Sequence, residues 1–362
     1  MSADSSSQQE WQDYTIRDDF KDVVPIPIDD EPNSICPIAY SEEFKITMSY
    51  LRAFLKENEI SERAYEVVGH AIILNPGNFT AWLYRYQLFG ALGKDVFEEL
   101  DWISDIAEDV PKNYQLWYQR QKIVSNLIET KQIEKYNLDA GSKEGTVPGE
   151  GNLPSHDFQN AIIASEIQFT NKQLANDTKN FHAWAYRQYI IKSFELWEYE
   201  MKFTCEKIMN DIRNNSAWNQ KYFVLTRGNS SEKITDKGVL SSEISYALEK
   251  ISIAPNNESS WVYIQGLLRN HCPEMLYNDF YESIEELKKA APFKSTIELC
   301  RFYWKYIYDR YVYFDTNQSH PQYEQLHNEW FEQAVYACEF LSEKLDPIRK
   351  NYYLYLKSKI TK

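Results

Sequence analysis

A short polar stretch, PKNYQLWYQR at residues 111–120, contains side chains that could bind a charged ligand. Lys112 carries an ammonium group, Tyr114 a phenol and Gln115 a side-chain amide. Asn113 is of a residue type preferred immediately before a helix. A helix N-terminus presents unpaired N–H groups and the positive end of the helix dipole, so it favours anions. The stretch therefore indicates an anion site at the beginning of a helix.

Related stretches at four further places define a repeat. The five stretches are NFTAWLYR from Asn78, NYQLWYQR from Asn113, NFHAWAYR from Asn180, NNSAWNQK from Asn214 and NESSWVYI from Asn257. Their tryptophans are Trp82, Trp117, Trp184, Trp218 and Trp261, with gaps of 35, 67, 34 and 43 residues. A period near 34 residues is typical of stacked helical pairs, and the longest gap indicates one period plus an insertion. We predict an all-α fold, an α-α superhelix in which antiparallel helical hairpins form a crescent.

The shared spacing places the asparagine, the tryptophan and, in three of the repeats, the following arginine on one helix face. The asparagines suit the N-cap position, and the tryptophans are large enough to fill the space between neighbouring helices. We expect the arginines to reach an acidic group on the adjacent repeat. These arginines are Arg85, Arg120 and Arg187. By themselves, the tryptophans and arginines indicate a structural role.

Successive helix starts in a stacked repeat lie side by side along one edge. The residues around the asparagines would then form a row of cationic, aromatic and amide groups. This row contains Phe79, Thr80, Lys112, Tyr114, Gln115, Lys179, Phe181 and His182. Such a row could hold an anion beside an apolar chain.

The composition along the chain predicts three kinds of segment. Residues 1–38 are polar and acidic and contain four prolines, so we expect a flexible arm with extended or disordered backbone. Residues 39–362 are predicted to form one helical-repeat solenoid. A disordered insertion is expected at about 137–157, where four of the eleven glycines occur. After residue 270 the Asn–Trp–Arg signature is lost, and we expect terminal capping helices there.

The overall charge and the cysteine pattern exclude several classes of function. The formal net charge of −15 disfavours binding to nucleic acid or to an anionic membrane surface. Five cysteines without a C-x-x-C pair indicate a reducing compartment, and the six histidines show no metal-ligand spacing. The sequence contains neither a signal-peptide pattern nor an apolar run long enough to span a bilayer. We therefore expect a cytoplasmic protein with no metal site and no membrane insertion.

The repeats, taken together, resemble the α subunits of the protein prenyltransferases. Within that group, PIAYSEEFKITMSYLRAFLKENEISERAY (37–65) and PKNYQLW (111–117) resemble the subunit shared by protein farnesyltransferase and geranylgeranyltransferase type I. The resemblance extends from about residue 20 to 270 and includes NFHAWAYRQYIIKSFELWEYE and DIRNNSAWNQKYFV. It implies a crescent of hairpins around a β subunit, which together transfer a farnesyl or geranylgeranyl group to a C-terminal CaaX cysteine.

The same resemblance implies partners and cofactors outside this chain. The β subunit would hold a zinc ion, which keeps the thiol of the CaaX substrate ionised. The substrates would be farnesyl or geranylgeranyl diphosphate and proteins with a CaaX terminus, such as small GTPases. The resemblance leaves open whether magnesium accompanies the diphosphate.

Individual roles also follow from the resemblance. Lys112 matches the lysine that contacts the leaving diphosphate, where an ammonium offsets the charge that grows as the C–O bond breaks. Tyr114 matches a tyrosine at the same mouth, and Gln115 a glutamine that binds the terminal carboxylate of the peptide. Asn180 and His182 match a loop near the diphosphate and the peptide. The residue types alone also allow a helix cap for Asn180 and a half-exposed contact residue for His182.

Several positions differ from the family pattern. Phe79 and Phe181 stand where the family usually has tyrosine, so a hydroxyl is lost while an aromatic wall remains. Gly77 replaces a small residue beside the isoprenoid and peptide region. Lys221 replaces the repeat arginine, and Ile264 leaves the fifth repeat without a basic residue at that position.

Two alternative interpretations remain open. The α subunit of the Rab-specific geranylgeranyltransferase shares the repeat, although PIAYSEEF and PKNYQLW argue against it. A non-catalytic scaffold of the tetratricopeptide type also has a 34-residue period, but with a different signature.

Overall fold

A computed structural model describes residues 13–28, 38–137, 158, 160–228, 234, 236–271, 273–289, 293–317 and 323–361. The molecule divides into two compact units, Met1–Ile190 and Ile191–Lys362. Of the insertion predicted at 137–157, residues 138–157 lie outside the described residues. The chain comes together on either side of this segment, because Asn137 and Asn160 form an antiparallel bridge and their side chains are hydrogen bonded at 2.8 Å.

Within the described residues, the regular secondary structure is helical. The α-helices are α1 (Glu42–Glu57), α2 (Glu62–Leu74), α3 (Phe79–Ala91), α4 (Val96–Asp109), α5 (Tyr114–Glu129), α6 (Ala161–Asn176), α7 (Phe181–Ser193), α8 (Trp197–Asn210), α9 (Asn215–Arg227), α10 (Lys237–Ile253), α11 (Glu258–His271), α12 (Pro273–Lys289), α13 (Phe293–Glu298), α14 (Arg301–Asn317), α15 (Tyr323–Phe340) and α16 (Lys350–Ile360). Short 3₁₀ segments lie at Tyr14–Ile16, Asp18–Phe20, Gln132–Tyr136 and Pro347–Arg349, and a π segment at Leu341–Leu345. The predicted all-α fold is confirmed. In the described part of the chain, no helix has the length and apolarity needed to cross a membrane.

In the first unit, consecutive helices pack as antiparallel hairpins. Helix α1 packs on α2, α2 on α3, α4 on α5, and α3 on α5. The apolar stripe of each helix faces these contacts, and Val67, Ile72, Leu88 and Leu100 are fully buried there. Burial of such stripes supplies most of the stability of helices of this length.

The helices of each repeat are joined by a four-residue turn that ends on the repeat asparagine. The turns of the first unit are 75–78, 110–113 and 177–180. In each, the asparagine N–H donates to the carbonyl of the first turn residue, at 3.0, 3.0 and 3.1 Å respectively. The asparagine side chain then accepts a hydrogen bond from an N–H of the following helix. These asparagines therefore close the turn inside each helix pair and cap the second helix of the pair.

The repeat tryptophans tie each turn to the helix that follows it. The indole Nε1 of Trp82 donates to the Pro76 carbonyl at 2.8 Å, and that of Trp117 to the Pro111 carbonyl at 2.9 Å. Trp184 makes the same bond to the second residue of its own turn, at 2.9 Å. A buried indole N–H needs such an acceptor, so the tryptophan fixes the turn as well as filling the space between helices.

The second unit continues this pattern beyond residue 270. Trp218 and Trp261 donate to carbonyls of their turns at 2.8 Å each, and Trp304 donates to the Glu298 carbonyl at 2.7 Å. Cys300 occupies the asparagine position before α14, and its N–H donates to Ile297 at 2.9 Å. The sequence predicted only capping helices here, but the hydrogen bonds of Trp304 and of the Cys300 N–H show a sixth turn of the repeat type. Its cysteine and the missing arginine concealed it from the sequence pattern.

Part of the predicted N-terminal arm packs on the first hairpin. Tyr14 and Phe20 are 2% and 1% exposed, and the Phe20 ring lies 5.3 Å from that of Tyr50. Ile26 N–H donates to the Ser49 carbonyl at 3.1 Å. Residues 13–28 are therefore anchored, although their polar composition indicated a flexible arm. Tyr14 and Phe20 stand among charged residues without a helical period, so nothing in the sequence indicated that they are buried. Their binding surface is formed by α1 and α2, which only the folded structure brings together.

Candidate functional site

The turn that carries Lys112 precedes α5. Pro111 is the second residue of this turn, where its fixed φ is favourable, and Lys112 is the third. Asn113 caps α5 by accepting hydrogen bonds from the N–H groups of Gln115 and Leu116, at 2.8 and 3.4 Å. The sequence therefore places one ammonium group directly before a helix N-terminus.

The Lys112 ammonium meets the next turn of the repeat. Its side chain is 73% exposed, and its Nζ lies 3.2 Å from a carboxylate oxygen of Asp177. The backbone N–H of Lys179 and the Lys112 ammonium lower the pKa of Asp177. An exposed ion pair of this kind is weak. A more highly charged anion could therefore compete with Asp177 for Lys112.

A group of aromatic rings lies beside Lys112. The ring of His182 is 4.3 Å from that of Tyr114, edge to face, and stacks on Trp117 with the centroids 6.3 Å apart. Partial burial and the nearby Lys112 cation lower the pKa of His182. The imidazole is therefore neutral near pH 7 and can accept or donate a hydrogen bond without adding charge.

Large aromatic side chains are exposed at the first residue of three successive repeat helices. Phe79 begins α3, Tyr114 begins α5 and Phe181 begins α7, and they are 54%, 70% and 70% exposed. The sequence predicted these three residues in one row. Exposed apolar groups that recur at one repeat position favour contact with an apolar ligand or partner surface.

Two further residues that the sequence predicted for the site, Gln115 and Asn180, lie in different environments. Gln115 is half-buried at the second position of α5. Asn180 is only 1% exposed, its Oδ1 accepts from His182 and Ala183 N–H groups, and its Nδ2 donates to Pro111. The structure therefore favours the cap for Asn180 over the direct substrate contact that the resemblance implied, because its polar atoms point into the protein.

Two of the repeat arginines, Arg85 and Arg120, form buried ion pairs with a glutamate of the following helix. Arg85 contacts Glu99 through Nε at 2.8 Å and through Nη2 at 2.7 Å. Arg120 contacts Glu166 in the same two-pronged manner, at 2.6 and 2.9 Å. Arg187 donates to side-chain oxygens on α6, at 2.9 Å each. These side chains lie inside the hairpin stack and hold the framework of the site.

In the second unit the repeat lysine makes a simpler contact. The Lys221 ammonium lies 2.9 Å from Glu243, and it also lies over the Tyr246 ring. Ile264, at the corresponding position of the next repeat, is fully buried. Two arginines of the earlier repeats each make a two-pronged contact, Lys221 makes one contact to a carboxylate, and Ile264 packs as an apolar side chain.

Sequence reasoning missed the glutamates that receive these cations. They are Glu99, Glu166 and Glu243, and each lies 18 residues before the repeat tryptophan of its own hairpin. Glu166 and Glu243 also accept hydrogen bonds from Tyr186 and Tyr263, at 2.7 and 2.6 Å. The fixed offset was the signal that could have identified them.

Among the residues that the structure describes, no three or more histidine, cysteine or acidic side chains are grouped so that they could hold a metal ion. The groups around this turn are instead the Lys112 ammonium, the Asp177 carboxylate with which it pairs, one neutral imidazole and several aromatic rings. This arrangement can bind an anion that is attached to an apolar group.

Comparisons with known proteins agree with this geometry. The family model "Protein prenyltransferase alpha subunit repeat" matches residues 61–92, 96–127, 163–194 and 197–228. These ranges coincide with the hairpins that contain Trp82, Trp117, Trp184 and Trp218.

Proteins similar over nearly the whole length include protein farnesyltransferase/geranylgeranyltransferase type-1 α subunits. The Arabidopsis thaliana protein is 33% identical over 95% of each chain. The Dictyostelium discoideum protein is 30% identical over 96% of this chain and 95% of its own. Among solved structures, Candida albicans protein geranylgeranyltransferase-I complexed with GGPP has a TM-score of 0.72 and 25% identity, covering 94% of this chain and 97% of that one.

The repeated turns, the buried cation–glutamate pairs and the full-length similarity agree with one another. The chain belongs to the family of α subunits shared by protein farnesyltransferase and geranylgeranyltransferase type I.

Proposed function

We propose that this chain is the α subunit of a heterodimeric protein prenyltransferase. The enzyme transfers farnesyl, or geranylgeranyl with another β subunit, from its diphosphate to the cysteine thiol of proteins with a CaaX terminus. The observation that carries this proposal is the position of Lys112. Its ammonium projects between the starts of α5 and α7, beside a neutral His182 and an exposed Tyr114.

Lys112 supplies the main electrostatic contribution of this chain. Negative charge accumulates on the bridging oxygen of the diphosphate as the bond to the prenyl carbon breaks, and a preorganised ammonium stabilises that charge. The diphosphate displaces the Asp177 carboxylate, since it carries more charge and the existing pair is exposed.

The neighbouring residues bind the rest of the substrates. Tyr114 and His182 form the wall beside the diphosphate, and Phe79 and Phe181 offer apolar surface at the equivalent helix starts. The Gln115 amide donates to the carboxylate of the CaaX peptide. Asn180 contributes indirectly, because its side chain caps α7 and donates to the Pro111 carbonyl.

The proposal includes a β subunit as an obligate partner, and activity requires both chains. The zinc that would activate the CaaX thiol is assigned to that β subunit, and any magnesium would bind through the prenyl diphosphate. Small GTPases with a CaaX terminus are the substrate class, and the cytoplasm is the compartment.

Co-expression with candidate β subunits tests the proposal. The chain is purified with a β subunit of farnesyltransferase, of geranylgeranyltransferase type I or of the Rab-specific enzyme. Each complex is assayed on a CaaX peptide with farnesyl and geranylgeranyl diphosphate. Transfer by the first two complexes is expected. A stable complex with the Rab-type β subunit alone would support the alternative family member, and a well-behaved chain that binds none of them would support a scaffold.

Lys112→Ala tests the catalytic assignment. We expect the single-turnover rate of prenyl transfer to fall by about 10²-fold, the typical effect of losing one preorganised electrostatic group, with a smaller change in peptide affinity. Arg213→Ala is the matched control. Arg213 is an exposed cation at the same turn position of the Trp218 repeat, and its loss should leave the rate unchanged. An unchanged rate in Lys112→Ala would remove Lys112 from the reaction.

A further inference from the structure

The carbonyl of Pro111 receives two hydrogen bonds from different parts of the chain. The Trp117 indole donates from its own repeat at 2.9 Å, and the Asn180 side chain donates from the next turn at 3.1 Å. This carbonyl belongs to the peptide group that joins Pro111 to Lys112. The two donors therefore fix the peptide plane from which the Lys112 side chain projects.

The same double-acceptor carbonyl recurs in the second unit. The Ile212 carbonyl accepts from Trp218 at 2.8 Å and from the Asn257 side chain at 2.7 Å. The Pro255 carbonyl accepts from Trp261 at 2.8 Å, and the Cys300 thiol lies 3.0 Å from it. In the described part of the chain, the arrangement thus joins one turn to the next at three places, the carbonyls of Pro111, Ile212 and Pro255.

The turn 177–180 holds the Lys112 region at two points. Asn180 binds the peptide group before Lys112, and Asp177 binds the ammonium at 3.2 Å. Asn180 is 1% exposed, so its hydrogen bond is shielded from water. The Asp177 contact is exposed and can be exchanged for a ligand, whereas the Asn180 contact stays in place.

We propose that Asn180 is a positioning residue that acts on the reaction through Lys112. Its side-chain N–H fixes the Pro111 carbonyl, and this bond sets the direction in which the ammonium points toward the diphosphate. A displacement of about 1 Å at a catalytic group can cost about 10²-fold in rate. The inference rests on the proposed function, because it assumes that Lys112 contacts the diphosphate.

Asn180→Asp and Asn180→Ser test the inference in the heterodimer. Both variants keep a side-chain oxygen that can cap α7. Aspartate places an acceptor against the Pro111 carbonyl, and serine is too short to reach it. We expect the single-turnover rate to fall about 10-fold in both variants. The serine variant carries no buried charge, so it remains informative if the aspartate variant does not fold.

Asn257→Asp is the matched control, because Asn257 has the same cap and the same shared carbonyl in a repeat that lacks Lys112. It should lower the melting temperature as much as Asn180→Asp while leaving the transfer rate within about twofold. The variants are also combined with Lys112→Ala. If Asn180 acts through Lys112, its substitution should have little further effect in that background. Additive losses, or an equal fall in rate in Asn257→Asp, would overturn the proposal.

Amide hydrogen exchange gives a readout that does not depend on activity. The Asn113 N–H, which donates to Val110 at 3.0 Å, closes the Lys112 turn. Its exchange should accelerate in both Asn180 variants, whereas Asn257→Asp should accelerate exchange of the Asn214 N–H. Unchanged exchange at Asn113 refutes the positioning role. A wild-type heterodimer that transfers no prenyl group instead refutes the proposed function, and exchange at Asn113 still decides whether Asn180 holds the turn.

Discussion

Glu166→Gln should destabilise the first unit strongly, because Glu166 neutralises a buried arginine. Glu166 and Arg120 are 0% and 1% exposed, and they share two hydrogen bonds of 2.6 and 2.9 Å. Tyr186 adds a third bond to the same carboxylate at 2.7 Å. Glutamine keeps the size of the side chain but removes the charge and turns one acceptor into a donor.

The magnitude follows from the groups that lose their partner. Breaking a buried ion pair by removing one member costs about 3–5 kcal/mol, since the other charge stays buried without compensation. Arg120 keeps its bonds to the Leu100 carbonyl and the Ser104 hydroxyl, at 2.8 Å each. We therefore expect the lower end of that range, about 3 kcal/mol. For a unit of this size, such a loss lowers the melting temperature by about 6–12 °C.

The assay is thermal unfolding of the purified heterodimer at fixed protein concentration, compared with Glu108→Gln. Glu108 pairs with Lys172 and, like the buried pair, joins successive hairpins, but these side chains are 51% and 59% exposed. The control should cost less than about 1 kcal/mol. Equal melting temperatures for the two variants would show that burial of the Arg120 pair contributes nothing, and the reasoning would fail.

Two further predictions concern the sixth turn and the pH response. Cys300→Ala should lower stability by about 1 kcal/mol relative to Cys300→Ser in denaturant unfolding, because serine supplies both a cap for α14 and a donor for the Pro255 carbonyl; equal midpoints would refute a repeat-type role for this position. His182 has a lowered pKa, so the unfolded chain binds more protons than the folded one just below about pH 6.5. The wild-type melting temperature should therefore fall relative to that of His182→Gln as the pH is lowered from 7.5 to 5, and a constant difference across that range would contradict the lowered pKa.

Local features of the fold were predictable from the sequence. Asn78, Asn113 and Asn214 cap helices as their residue type predicts, since capping involves only the next few residues. The spacing of the tryptophans also gave the helical pairs, because the repeat period reflects the length of two helices and a turn. The sixth turn was missed because Cys300 stands where the other repeats have the asparagine that defined the pattern.

The candidate site was predictable in its composition but only partly in its roles. Lys112, Tyr114 and Phe181 are exposed at the turns and helix starts where the repeat placed them. The sequence could not show whether Asn180 serves as a buried cap or contacts the substrate. The acceptor of its side-chain N–H, the Pro111 carbonyl, is 69 positions away in the chain.

The sequence by itself determined which residues begin the helices, which face of each helix is apolar and which side chains could carry charge into a site. These properties depend on neighbours within a turn or two of helix. The tertiary structure decided which groups are neutralised and which stay available. Arg120 is buried in its pair because the chain brings Glu166 against it, whereas Lys112 pairs with the partly exposed Asp177 and remains 73% exposed. Burial and long-range approach are properties of the packed molecule, and they separate a structural cation from one that can bind a ligand.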